Sequence, residues 1–429
     1  MTRTQTAQPI GPSTSGGRSA VLLISAIVLT AFNLRTAVTG FSPLLDTIGA
    51  ELSFGPSLFG AFGTIVTASF AVFGFAAAAI ARRFGLEWTL VIATAATTVG
   101  VVLRAASPSA TALILSTVVA FAGVGMTNVL IVPIVKQYFA SRLKSITSLY
   151  LSLLQLGQFT APLLAVPVAM AAGWRVAVGM WVVLTALAFA LWFVAALAAS
   201  RRRTRASAAA LGASTEAVAP AHTVADAVAA RNDTRSPVPG AWRSRLLWSM
   251  VLMFGMTALN TYAIITWLPT ILVDAGADPA LGGALLALFS VFGLGAAFVV
   301  PPLAVGMRNP VVIVIVCVAL LAVGYTGLLI APLDGAVIWV IALGLGVSTF
   351  PMCLTLVNVR TKTPAGSSLL SGAMQGIGYG LACVGPLLIG VLHDLGGGWG
   401  GSYVFLYVTL GVLLVSGIVA CRPGQLERS

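Results

Sequence analysis

The sequence predicts an all-α membrane protein of twelve transmembrane helices, built as two pseudo-symmetric halves of six. Three observations carry that reading. Of 429 residues, 59% are hydrophobic and only 8% are charged, against about 25% charged in ordinary soluble domains. The mean hydropathy is +1.02. Apolar runs of spanning length recur along the chain, and one long polar stretch divides them six from six. So few charges cannot cover a soluble globule of this size. That excludes a cytosolic enzyme, a disordered chain and a secreted disulfide scaffold.

The elements follow in chain order. Residues 1–19 are polar and lack a hydrophobic core with a cleavage site, so they read as a cytoplasmic tail rather than a cleaved signal peptide. The N-terminal half, 20–199, holds apolar runs at 20–45, 57–81, 86–106, 110–136, 146–171 and 176–199. A spanning helix takes about 20 apolar residues, and the longer runs imply tilt. Residues 200–245 open with Arg201, Arg202, Arg203 and Arg205, then turn to Ala, Ser, Thr and Asp and end near Pro237 and Pro239. Low hydrophobicity with charge and proline predicts a cytoplasmic linker. The C-terminal half, 246–421, holds runs at 246–272, 281–304, 310–331, 337–359, 367–393 and 402–421. Residues 422–429 form a short tail.

Charge supplies the orientation. If both termini are cytoplasmic, 20 of the 23 Lys and Arg fall on the inner side, while Asp46, Glu51, Asp274, Asp278, Asp334 and Asp394 fall outside. This is the positive-inside pattern of a multi-pass inner-membrane protein. The net charge of +12 is therefore a topology signal and not a nucleic-acid footprint. The four cysteines sit in apolar runs without metal or disulfide spacing, and read as small buried hydrophobes.

The halves resemble each other. Asn33, Thr39, Pro43 and Leu45 of span 1 align with Asn260, Thr266, Pro269 and Leu272 of span 7. Gly123 and Gly125 of span 4 match Gly344 and Gly346 of span 10, and Gln155 of span 5 matches Gln375 of span 11. Six plus six around a linker is the architecture of parallel-repeat secondary transporters, whose site lies at the midplane between halves.

The loop between spans 2 and 3 resembles the signature of the major facilitator superfamily, Gly-x-x-x-Asp-Arg-x-Gly-Arg-Arg. Arg83 and Gly85 match it, while Arg82 holds the acidic position and Glu87 a basic one. The charges are exchanged, so an ion pair at the helix ends would keep its place with reversed sign. That form, with Asn33-Leu34-Arg35, Trp267-Leu268-Pro269, and Gln375 through Gly378-Tyr379, is similar to the cyanate and 2-nitroimidazole transporter family (CynX/NimT). The resemblance covers all twelve spans. It implies the major facilitator fold, solute transport by alternating access, and a role in conformational switching for Arg82, Arg83, Gly85 and Glu87.

Arg35 is the central candidate. It lies 14 residues beyond Val21, about 21 Å along the helix axis at about 1.5 Å per residue. Neither interface is easily reached from there, and every acidic residue sits in a loop, a helix end, the linker or a tail. A charge at that depth costs at least about 2.5 kcal/mol. A solute with a carboxylate, cyanate or nitro group would complete its guanidinium fork. Helix carbonyls or side-chain amides are the structural alternative.

Asn33, Asn128, Gln155, Gln158, Asn260 and Gln375 are the intramembrane amides that would join Arg35 or bond between helices. In the superfamily, spans 1, 4, 7 and 10 usually line the cavity, which favours Asn33, Asn128 and Asn260. Tyr262, Trp267 and Tyr379 are expected as aromatic walls, with an interfacial belt as the alternative for Trp267. Neither a metal cluster, nor a cofactor motif, nor a nucleophile–base set is present in the sequence. A coupled proton would travel with the solute or on His393. The expected protein is a monomeric, non-enzymatic secondary transporter for a small polar or anionic solute. A carrier or exporter of neutral aromatics such as 2-nitroimidazole, and a non-transporting sensor, are the alternatives.

Overall fold

The computed structural model describes residues 17–213, 240–307 and 309–428. Among them are 12 helices long and apolar enough to cross a membrane. Spans 1–6 are Ala20–Leu52, Pro56–Phe84, Leu86–Ala105, Ala110–Tyr138, Ser145–Ala172 and Trp174–Arg201. Spans 7–12 are Arg245–Asp274, Pro279–Gly306, Val311–Ile330, Ala336–Arg360, Leu369–Gly396 and Gly400–Ala420. Every predicted apolar run coincides with one of them. Most residues 214–239 of the predicted linker, and residues 1–16 of the predicted tail, lie outside the described residues. Residues 200–213, read as linker, instead continue the span 6 helix, which runs Val182–Ala213.

Four spans are broken. Span 6 breaks between Gly179 and Val182 without a proline, and prolines account for the other three. A proline ring clashes with the carbonyl four residues before it and supplies no N–H. Pro43 follows a helix that ends at Thr39. Pro351 follows one that ends at Gly346, and Pro386 one that ends at Ala382. Each chain then resumes as a second helical piece, Leu45–Leu52, Thr349–Arg360 and Val384–Gly396. Elsewhere helix starts are capped by side chains, as where Asp278 accepts from the Ala280 amide at 2.7 Å.

The contacts between the halves set the site's position. Ser42 Oγ donates to the Thr266 carbonyl at 3.0 Å and also to that of Ile265. Thr270 Oγ1 donates to Asp46 at 3.0 Å, and Thr64 Oγ1 to the Cys383 carbonyl at 2.8 Å. Gly60 meets the Pro386 carbonyl and Gly283 the Pro162 carbonyl so closely that neither has room for a Cβ. All these junctions lie toward the ends of spans 1 and 7, the face predicted to be external. Span 7 runs through the middle of them, with 89% of its apolar window buried.

Candidate functional site

Arg35 sits one turn before the break in span 1 and is half-buried. Its Nη1 donates to the Tyr262 hydroxyl across the half interface at 3.0 Å, and its Nε has no partner. The two residues are 227 apart, the same spacing as Asn33 and Asn260. They are equivalent positions of the repeat, so the bond lies close to the pseudo-two-fold axis. Around it stand aromatic rings from both halves. Tyr262 lies 6.1 Å from Phe70 and 6.3 Å from Tyr379, ring centre to ring centre. Phe70 lies 5.4 Å from Tyr379, which stands edge-on to Phe254 at 5.2 Å. Tyr150 of span 5 also interacts with the guanidinium. Among the described residues no carboxylate pairs with Arg35. The cluster therefore offers one cation, phenol groups and ring faces. That set can hold a flat solute by stacking and bind its acceptor oxygens with charge-assisted bonds.

Arg35, Tyr262 and Tyr379 are thus brought together as the sequence predicts. Asn33 and Asn260 are not. Each precedes its site residue by two positions, about 200° around a helix, and so faces the interior of its own half. Asn260 is fully buried: Nδ2 donates to the Met256 carbonyl at 2.8 Å and to Thr409 at 3.0 Å, while Oδ1 accepts from Tyr325 at 2.7 Å. It ties span 7 to spans 9 and 12. Asn33 lines a small pocket with Thr94, Thr97, Thr127 and Thr185, and both its amide atoms lack partners. Trp267 lies seven residues after Asn260, on the same face. It is 1% exposed, donates to the Pro386 carbonyl at 2.9 Å and packs near Phe59 and Trp399, with Tyr325 and Tyr403 on the same pocket. Gln375 is half-buried and donates to Ser371 at 2.9 Å. Asn128 and Gln155 are half-buried and Gln158 is buried.

In the loop between spans 2 and 3, Gly85 has φ +89° and serves both as the end of one helix and the start of the next. Only glycine takes that conformation without strain. Glu87 is buried. It accepts from Gln137 at 2.9 Å and from Tyr138 at 2.5 Å, both at the end of span 4. Arg82 and Arg83 are exposed. At the same predicted inner face, Glu427 accepts from the Lys362 amide at 2.9 Å and from the amide and hydroxyl of Thr363, both at 3.0 Å. Partial burial pushes its carboxyl up, but the Thr363 and Lys362 amides outweigh this and hold it below the usual range.

Sequence reasoning missed Phe70, Tyr150 and above all Arg104. Arg104 is the penultimate residue of the span 3 helix, where a long side chain ordinarily reaches water. It is instead 2% exposed and turned inward. Its guanidinium stacks 4.0 Å from the Phe41 ring centre and 5.5 Å from that of Phe121, and Nη1 donates to the Ala37 carbonyl at 3.3 Å. It borders a pocket that Tyr262 also lines. His393 lies in the last turn of the helix Val384–Gly396, 3.9 Å from Asp274, 3.6 Å from Asp394 and 4.3 Å from the Trp399 ring.

Known proteins agree with this architecture. A family model described as Major Facilitator Superfamily matches residues 26–383. The 2-nitroimidazole transporter of Escherichia coli (strain K12) is 29% identical over 96% of this chain and 98% of its own length. The cyanate transport protein CynX of the same organism is 23% identical over 88% and 91%. A bacterial homolog of the human lysosomal transporter Spinster, in an inward-facing and unoccupied conformation, superposes with TM-score 0.67 at 14% identity, over 96% of this chain and 98% of that one. The crystal structure of a D-xylose–proton symporter gives 0.64 at 12%, over 96% and 99%. Twelve spans in two halves, a glycine-turned loop between spans 2 and 3 and a full-length likeness to transporters lead to one conclusion: the chain belongs to the Major Facilitator Superfamily.

Proposed function

We propose that the protein is a secondary active transporter for a small, flat solute carrying a carboxylate, cyanate or nitro group. It works by alternating access in the inner membrane, with both termini cytoplasmic, and does no covalent chemistry. The observation that carries this reading is Arg35: a half-buried guanidinium with an unpartnered Nε, bonded only to a tyrosine hydroxyl and surrounded by aromatic rings from both halves. The solute supplies the missing acceptor, and the rings supply its walls. The relatives' names, one a 2-nitroimidazole and one a cyanate transporter, fit the same acceptor chemistry. The junctions between halves gather on the predicted external face, an arrangement that fits an inward-facing conformation.

The test uses purified protein and three probes: cyanate, 2-nitroimidazole and plain imidazole. The first two should stabilise the protein against heat in proportion to their occupancy, and imidazole should not. Arg35→Gln loses the charge and the fork, and should bind about ten- to a hundredfold more weakly at about 1.4 kcal/mol per decade. Arg35→Lys should also fall short, because a point charge cannot make the bidentate contact. Normal binding by Arg35→Gln would end the proposal. Uptake of the bound probe into proteoliposomes separates transport from sensing.

A further inference from the structure

Arg104 carries a second problem that the central site does not solve. Its Nε and Nη2 are buried without partners, and its one bond is to the Ala37 carbonyl. Among the described residues no carboxylate pairs with it. It lines a small pocket between spans 1, 3 and 6, together with Thr36, Gly40 and Trp181. The Trp181 indole Nε1 is also buried without a partner. It faces Gly40, where an added Cβ would lie 3.4 Å from it. The absence of that Cβ keeps the pocket open.

The unsatisfied atoms here share one polarity. Arg104 Nε, Arg104 Nη2 and Trp181 Nε1 are all donors, and neither side chain has an acceptor to offer. The nearby Thr36 hydroxyl already donates to the Asn33 carbonyl at 3.2 Å. A water molecule could accept from these donors and donate to the Thr36 hydroxyl, but it would leave the net positive charge unanswered. A small anion accepts from the donors and answers the charge. The rings of Phe41 and Phe121 cover the guanidinium faces, which leaves its edge as the binding direction.

We propose that Arg104 and Trp181 form a second anion site, inside the N-terminal half, for a small monovalent anion of halide, nitrite or cyanate size. The site rests on Arg104 and Trp181 and not on the Arg35–Tyr262 bond, and it stands whether or not Arg35 binds solute. Its occupant neutralises the buried charge of span 3. The shared chemistry is a compact acceptor with one negative charge. It comes either from the medium, as chloride, or from the solute pool, as cyanate.

The experiment is done in Arg35→Gln protein, which removes the central site from the reading. Melting curves are recorded at constant ionic strength while sodium gluconate is replaced by sodium chloride, nitrite or cyanate. The small anions should raise the melting temperature in a saturable way and gluconate should not. Arg104→Gln, added to Arg35→Gln, should abolish the response. Trp181→Phe keeps the ring and loses one donor, so the apparent dissociation constant should rise about tenfold, the equivalent of about 1.4 kcal/mol. If Arg104→Gln fails to fold, Trp181→Phe still decides. A response to chloride alone assigns the site to a resident ion, and one to cyanate alone assigns it to the solute. No anion response in Arg35→Gln protein, or an unchanged one in Trp181→Phe, overturns the proposal.

Discussion

Asn260→Leu separates the structural amides from the solute-binding ones. Leucine shares the branched heavy-atom skeleton of asparagine and is bulkier, so the change removes hydrogen bonds without opening a cavity. Two bonds between helices disappear, to Thr409 at 3.0 Å and from Tyr325 at 2.7 Å. Such bonds within membranes are worth about 0.6–1.7 kcal/mol each. The Tyr325 hydroxyl is then stranded, since Tyr325 is 2% exposed, at about 1–3 kcal/mol for an unsatisfied buried group. The expected loss of stability is about 2–4 kcal/mol. The assay is unfolding of purified protein by heat or SDS, alongside binding of cyanate and 2-nitroimidazole. Stability should fall while affinity stays within about twofold of the parent, a difference under about 0.5 kcal/mol. A large loss of affinity with unchanged stability would refute the placement of Asn260 and return it to the solute site.

Two more outcomes follow from the predicted inner face. Tyr138→Phe removes the 2.5 Å bond to Glu87; charge-assisted bonds of this kind are worth about 1.5–3 kcal/mol, so proteoliposome uptake should slow about tenfold while binding is unchanged. Glu427 is held below the usual carboxylate value of 4.5 by the Thr363 and Lys362 amides despite partial burial. Its anchoring of the C-terminal tail is therefore complete above that value and lost as pH falls through the lower folded one. Hydrogen exchange at Lys362 and Thr363 should be faster in Glu427→Gln than in the parent at neutral pH, and the two should converge in acid.

The spans were legible because a run of about 20 apolar residues is a strong signal. Their breaks were less so, because Pro133, Pro167 and Pro269 sit inside unbroken helices while Pro43, Pro351 and Pro386 follow breaks. The central charge was legible for the same reason as the spans: Arg35 stands alone in such a run. The faces were harder. Asn33 and Arg35 are two residues apart, as are Asn260 and Tyr262, and about 100° per residue puts each pair on opposite sides of its helix. The same count joins Trp267 to Asn260, seven residues on, so helical periodicity held this information. Arg104 was out of reach by any such count. Its burial depends on Phe41 of span 1 and Phe121 of span 4, rings that only the tertiary packing brings to it. Tyr150 and Phe70 likewise gain their place from neighbours distant in sequence.

The 227-residue spacing of Arg35 and Tyr262 has a consequence for how such a chain arises. Positions that meet on a two-fold axis are, in an assembly of two identical halves, the same position meeting itself. An arginine there would face another arginine at hydrogen-bond distance, and a tyrosine another tyrosine. A single guanidinium with a hydroxyl acceptor needs two copies that can change independently. Fusion of the halves into one polypeptide supplies that freedom, because each copy then mutates alone. Asymmetry at the axis is thus available to a covalently joined pair and closed to a homodimer, and the Arg35 guanidinium sits where the two copies diverged.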